Sequence, residues 1–213
     1  MSKKSNQKGF TIIELLIATT VFSVILMIVS SGIIQIGRFY YKNITSARTQ
    51  EAARNIIEEV SRTAQFSQSS VQASPDSEPD KAICIGPNRY SYVIDRQVGT
   101  DTGDVPAALV ADINNSVCAG QNLSSGATIN GSDLLSANMR LLNFEVSEDT
   151  STDTVKVKVK VAYGDNDLLT HCEPSGNSCS SNPVDIANST CRTGIAGSSF
   201  CSVSELETSI KRR

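Results

Sequence analysis

The sequence has no tryptophan and a single histidine, His171. One histidine excludes the multi-histidine zinc sites of hydrolases and leaves little for histidine-based acid–base chemistry. No Cys-x-x-Cys pair occurs among the six cysteines, which removes the usual zinc-ribbon and thioredoxin-type spacings. Basic and acidic residues nearly balance, 19 against 22, so no whole-protein positive field exists to gather nucleic acid. The most telling scarcity is local. From Ile12 to Ile36 the only ionisable side chain is Glu14, and proline is absent from the same stretch.

Residues 10–37 therefore read as one apolar helix of 28 residues, about 42 Å long and able to cross a hydrocarbon core of about 30 Å. A secretory signal would carry an apolar core of roughly 7–15 residues followed by a small-residue cleavage site. Here the run is longer, and the only candidate cut, after Gly9, lies on its cytoplasmic side, beside Lys3, Lys4 and Lys8. An isolated charge within a bilayer costs at least about 2.5 kcal/mol on insertion scales, so Glu14 calls for a partner. A simple signal anchor with Glu14 snorkelling towards headgroups leaves the Gly-Phe-x-x-x-Glu spacing unexplained.

That spacing, Gly9-Phe10-Thr11-Ile12-Ile13-Glu14-Leu15 after a basic leader, resembles the prepilin motif of type IV pilins and of type II secretion pseudopilins. The resemblance implies cleavage after Gly9 by prepilin peptidase, a membrane-embedded aspartic peptidase that in many systems also methylates the new amino terminus, here on Phe10. It implies that Glu14 is the assembly residue, neutralising the Phe10 amine of a neighbouring subunit, since two charges that are costly alone become tolerable as a close pair. The implied partners are the peptidase, other pilin subunits, the assembly platform and the membrane, which the chain crosses once in the cytoplasmic (inner) membrane before it enters an extracellular filament. No cofactor and no metal are implied, and the role is structural rather than enzymatic. Removing a leader over residues 1–9 takes away three lysines and moves the formal charge from −3 to −6. Thr11, Thr19, Thr20, Ser23, Ser30, Ser31, Gly32, Gln35 and Gly37 either permit close helix packing or are simply tolerated in a membrane helix; both readings stand.

The candidate disulfide residues Cys84, Cys118, Cys172, Cys179, Cys191 and Cys201 all follow the span, which favours an oxidising exterior for the part that carries them. This sets the orientation, because Arg38, Lys42 and Arg48 after the span offset the lysines before it. Short loops favour pairing Cys172 with Cys179 and Cys191 with Cys201. A zinc site drawing on His171, Cys172 and Cys179 is the weaker rival, and a thiol hydrolase built on His171 and Cys172 lacks a positioned base and oxyanion site.

Neither proline nor glycine interrupts residues 38–66, and Ile44, Ala52, Ala53, Ile56, Ile57, Val60 and Ala64 recur at helical spacing, so the helix is expected to continue as an amphipathic half. Residues 67–213 are expected to form one exported β-rich domain. Strand candidates are Ala82–Ile85, Tyr90–Asp95, Met139–Ser147 and Val155–Tyr163, the last two as a hairpin; the Gly-, Asn- and Ser-rich stretch Gly99–Asp133 reads mostly as loops. Lys156, Lys158 and Lys160 alternate with valines on a water-facing side of the last strand. They suggest phosphate binding or, more simply, an edge strand guarded against strand addition, with Glu145, Glu148, Asp149 and Asp153 able to neutralise them. Asp165-Asn166-Asp167 offers calcium-type oxygens but lacks the rest of a calcium loop. At the carboxyl end a capping box at Ser202 and Glu205 competes with a closing strand, which is preferred because larger minor pilins and J-type or W-type pseudopilins end this way. The fold class expected is α+β: a long amino-terminal helix packed on an antiparallel, disulfide-stapled β domain. The function expected is a minor pilin, with a pseudopilin, or a pilus-borne adhesin or DNA-binding ectodomain, as the alternatives.

Overall fold

The computed structural model describes residues 9–74, 81–99, 107–114, 118–123, 128–176 and 178–212. The expected leader residues Lys3, Lys4 and Lys8 lie outside them. Helix α1 runs without interruption over Ile12–Phe66, a stretch that contains no proline. The chain divides into two compact units between Tyr41 and Lys42.

The second unit holds two antiparallel sheets. One has the order β1 (Val71–Ala73), β2 (Lys81–Ile85), β3 (Asn88–Tyr92), β4 (Leu109–Ile113) and β5 (Ser132–Asp133); the other consists of β6 (Met139–Asp149), β7 (Thr154–Tyr163) and β8 (Ser202–Lys211). From residue 42 onward α1 lays Ala52, Ala53, Ile56, Val60 and Ala64 into a core shared by both sheets, which contribute Ile83, Ile85, Tyr90, Leu109, Leu141, Phe144, Ile210 and the four alternating valines of β7. The expected stripe on α1 is corrected at its start. Thr45 and Thr49 are buried where Ile44 is only half-buried, because their hydroxyls return hydrogen bonds to the carbonyls of Lys42 and Thr45 and so carry no unmet polarity inward.

Strand β6 contains a bulge. Leu141 pairs with Val161 but Asn143 pairs with Lys160, so Leu142 is the extra residue. Leu141 and Phe144 consequently face the main core, while Leu142 turns to a second cluster with Ala162, Leu168, Leu169 and Ile186. That second cluster covers one end of the opposite face of the three-stranded sheet with the loop region between β7 and β8, which includes α2 (Pro183–Ala187).

Of three further expectations one is incomplete, one fails and one is met. The stretch Gly99–Asp133, read mostly as loops, contains β4 and β5 among its described residues; β4 has five residues, of which Leu109 and Val110, adjacent in sequence, are the buried ones, so it shows no two-residue alternation. At Gly131, with φ +112°, an added Cβ would overlap the Ala111 carbonyl oxygen, so only glycine brings β5 beside β4. Strand β7 is the middle strand of its sheet, which removes the edge-guard reading of its lysines. At the carboxyl end the strand prevails over the capping box, with β8 in unbroken register along β7 from Tyr163↔Ser202 to Thr154↔Lys211.

Candidate assembly segment and the ectodomain sites

Gly9 and Phe10 precede α1 and are exposed. The helix begins with a reciprocal cap. The Thr11 hydroxyl accepts from the Glu14 backbone N–H at 3.3 Å, while Glu14 Oε2 accepts from the Thr11 N–H at 3.0 Å and from the Thr11 hydroxyl at 2.9 Å. This is a Thr-x-x-Glu capping box, present in the sequence and not recognised there. It gives the lone carboxylate donors within its own chain. It also puts a negative charge at the positive end of the helix dipole. Both contacts to the carboxylate fall on Oε2, so Oε1 is left for another donor.

Beyond the cap, the side chains from Ile12 to Tyr41 are predominantly apolar and almost uniformly exposed, and an 18-residue window of α1 reaches a mean hydropathy of 2.6 with none of it buried. Four of the hydroxyls interspersed there are satisfied within the helix: Thr19 donates to Leu16 O, Thr20 to Ile17 O, Ser23 to Thr19 O and Ser31 to Ile28 O, at 2.8–3.0 Å. Such a surface suits lipid, where every polar group must find a partner inside the protein.

Residues 4–30 match the family model described as the prokaryotic N-terminal methylation motif. That match supports a type IV pilin-like prepilin. No curated protein and no solved structure matches the chain. The motif implies processing by prepilin peptidase and assembly with other pilins in a membrane, and together with the long apolar helix it suggests membrane anchoring before assembly.

The cysteines form three bridges: Cys84–Cys118, Cys172–Cys179 and Cys191–Cys201. The first fastens the segment after β4 to β2, and the last fastens the loop region to the start of β8.

The lysines of β7 are spoken for, and by a different strand from the one expected. Lys156 pairs with Glu207 at 2.8 Å, Lys158 with Glu205 at 2.9 Å and Lys160 with Glu205 at 3.3 Å, all on β8. Of the acids assigned to that role, Glu148 instead pairs with Arg212 at 2.6 Å and accepts from the Val71 N–H. Asp149 caps the turn through Ser151 and Thr152. Lys160 is itself buried, donating to the Ala187 carbonyl at 2.7 Å, because α2 lies over that end of the sheet. Hydrogen bonds from Lys158 lower the Glu205 carboxyl below its usual range, and the same pairing raises the Lys158 ammonium. The stripe offers phosphate no free row of cations.

A buried polar network lies under the loop region. Arg140 on β6, fully buried, donates to Asp95 Oδ1 at 3.1 Å, Gln97 Oε1 at 3.2 Å and the Gly164 carbonyl at 3.3 Å. Asp95, at φ +61°, meets His171 Nε2 through Oδ2 at 3.0 Å, and His171 Nδ1 contacts Ser189 Oγ at 2.6 Å. Serine, histidine and aspartate in sequence of contact resemble a hydrolytic triad. Ser189 is 1% exposed, however, so its oxygen faces no substrate, and the network ties β6 to the loops instead. Asp165-Asn166-Asp167 is a turn: Asn166–Leu168 form a single 3-10 segment, and Asp165 accepts from Gln97.

Proposed function

We propose that this chain is a minor subunit of a type IV pilus-like filament, cut between Gly9 and Phe10, assembled through residues 10–37 and carrying its disulfide-stapled domain outside the cell. The observation that carries this reading is the run of exposed apolar side chains in α1, which begins inside the methylation motif and continues beyond it. A surface of that kind needs lipid before assembly and other helices after it. Gly9 supports the cut, since a Cβ there would meet nothing within 4 Å: the folded chain has no need of glycine at this position, whereas a peptidase threading the backbone through its site does. The minor role rests on the bulk of the domain, whose three bridges and long loops make an awkward repeat for a filament shaft. A type II secretion pseudopilin is the second reading, because the same amino-terminal motif serves both.

Glu14 is the proposed assembly residue. From Glu14 to Gly37 the chain advances 23 residues, about 35 Å of helix against about 30 Å of hydrocarbon, so the carboxylate reaches the interface while the subunit waits in the membrane. Its desolvation comes when subunits pack together, where a neighbour's Phe10 amine supplies the counter-charge through Oε1. The test is the ratio of this subunit in sheared filaments to that in the membrane. Glu14→Gln keeps an acceptor for Thr11 and removes the charge, whereas Glu14→Asp keeps the charge and shortens its reach. The ratio is expected to fall at least tenfold for Gln and less for Asp, with membrane levels unchanged. An unchanged ratio for Glu14→Gln contradicts the assignment.

A further inference from the structure

The Cys172–Cys179 bridge lies against two side chains that do not belong to its loop. One ligand atom from each of Asp95, His171, Cys172 and Cys179 falls within 4.8 Å of the others. His171 Nε2 is 3.4 Å from Cys172 Sγ and 3.0 Å from Asp95 Oδ2, close to the roughly 3.3–3.8 Å that separates neighbouring ligands in a tetrahedral zinc shell with bonds of about 2.0–2.3 Å. The outer contacts are also those of a metal site. Ser189 Oγ holds His171 Nδ1 at 2.6 Å, leaving Nε2 to face the sulfurs, and Arg140 holds the other oxygen of Asp95.

The two cysteines would stay opposed without their bond. Cys172 and Cys179 form an antiparallel bridge, flanked by Glu173 N–H to Ser178 O at 2.7 Å and Ser180 N–H to His171 O at 2.8 Å. Arg192 clamps the same loop through the Leu169 and Cys172 carbonyls. Charge balances as well: two thiolates and one carboxylate are matched by a divalent cation together with Arg140. Cys179 and the edge of Asp95 are partly exposed, which gives an ion a way in.

We propose that in the thiol form of the chain, the form in which it is synthesised, Asp95, His171, Cys172 and Cys179 bind one zinc-class divalent ion, and that this ion and the Cys172–Cys179 disulfide are alternative staples for one loop. Binding displaces one proton from each thiol to solvent and needs no reductant. Later oxidation joins the two thiolate sulfurs, passes two electrons to an external disulfide, which takes two protons from solvent and becomes a dithiol, and releases the metal.

The experiment uses the full-length chain in detergent, reduced by a phosphine; each bridge takes two electrons and two protons, and water supplies the oxygen of the phosphine oxide. Cobalt(II) serves as the probe. The reduced protein is expected to bind one equivalent with the intense visible absorption of a tetrahedral thiolate site, to lose it to added zinc, and to bind none when oxidised. His171→Ala and Asp95→Asn are expected to weaken binding at least tenfold and Ser189→Ala about tenfold. The double substitution Cys191→Ser/Cys201→Ser leaves binding unchanged. Zinc should also shield Cys172 and Cys179, but not Cys84 or Cys118, from alkylation in the reduced wild-type protein, a readout that requires no variant to fold. No tetrahedral spectrum, or equal alkylation of all six cysteines with zinc present, overturns the proposal.

Discussion

Thr49 and Ser202 meet through their hydroxyl oxygens at 2.9 Å in a buried contact that joins α1 to the first residue of β8. Thr49 also donates to the Thr45 or Ser46 carbonyl. Its single hydrogen is thereby used, so Ser202 is the donor in the pair. The amphipathic half of the helix is thus fixed to the closing strand by polarity as well as by packing.

Replacing Thr49 with valine keeps the shape and leaves the Ser202 hydroxyl with no acceptor, which is expected to cost about 1–3 kcal/mol. Adding Ser202→Ala should restore part of that loss, because removing both polar partners is less damaging than removing one. Chemical denaturation of the two single variants and the double variant measures the coupling, and strictly additive losses would show that the two hydroxyls do not interact.

Glu205 governs the acid limb of stability. Hydrogen bonds from Lys158 and then Lys160 lower its folded carboxyl below the ordinary value of 4.5. A lowered folded value means that the stabilisation is complete above about pH 4.5 and is lost as pH falls through the folded value. Glu205→Gln should therefore destabilise the protein at pH 7 and flatten the loss between pH 5 and 3, measured as denaturation midpoints. Glu207→Gln, whose partner Lys156 is about half exposed, should change little.

Tyr90 should mark the opposite limb. Its ring is buried in the core and its hydroxyl meets Thr63 Oγ1 at 2.8 Å; burial raises its ionisation from 10.0 to about 12. A raised folded value means that stability is intact below about pH 10 and declines towards pH 12. In a tyrosinate absorbance titration of the folded protein, one of the five tyrosines should ionise last, and Tyr90→Phe should abolish that step. A late step that persists in the variant contradicts the assignment.

Much of this architecture can be read from residue order, and the parts that cannot are physically related. The valines of β7 announce their strand because a two-residue period follows directly from the pleat. Helix α1 follows from twenty-nine residues without a breaker after an apolar span. The burial of Lys160 and Arg140 is not announced, because it depends on what covers them: α2 for the lysine, and a network with Asp95 and Gln97 from another part of the chain for the arginine. The cap at Thr11 and Glu14 was legible as Thr-x-x-Glu, but the electrostatic oddity of Glu14 drew attention to partners outside the chain. In the second unit the candidate metal ligands His171, Cys172 and Cys179 stand close in sequence, while Asp95, which completes their set, is brought to them only by folding.

The central claim is that this chain is a processed filament subunit, and the mass and amino-terminal sequence of the protein recovered from membranes test it most directly. In cells that contain prepilin peptidase, the account predicts a chain of 204 residues beginning at Phe10, with the mass of one added methyl group where the peptidase also methylates. Gly9→Val should retain residues 1–9 and still insert in the membrane. A wild-type chain that still begins at Met1 in those cells would contradict the account.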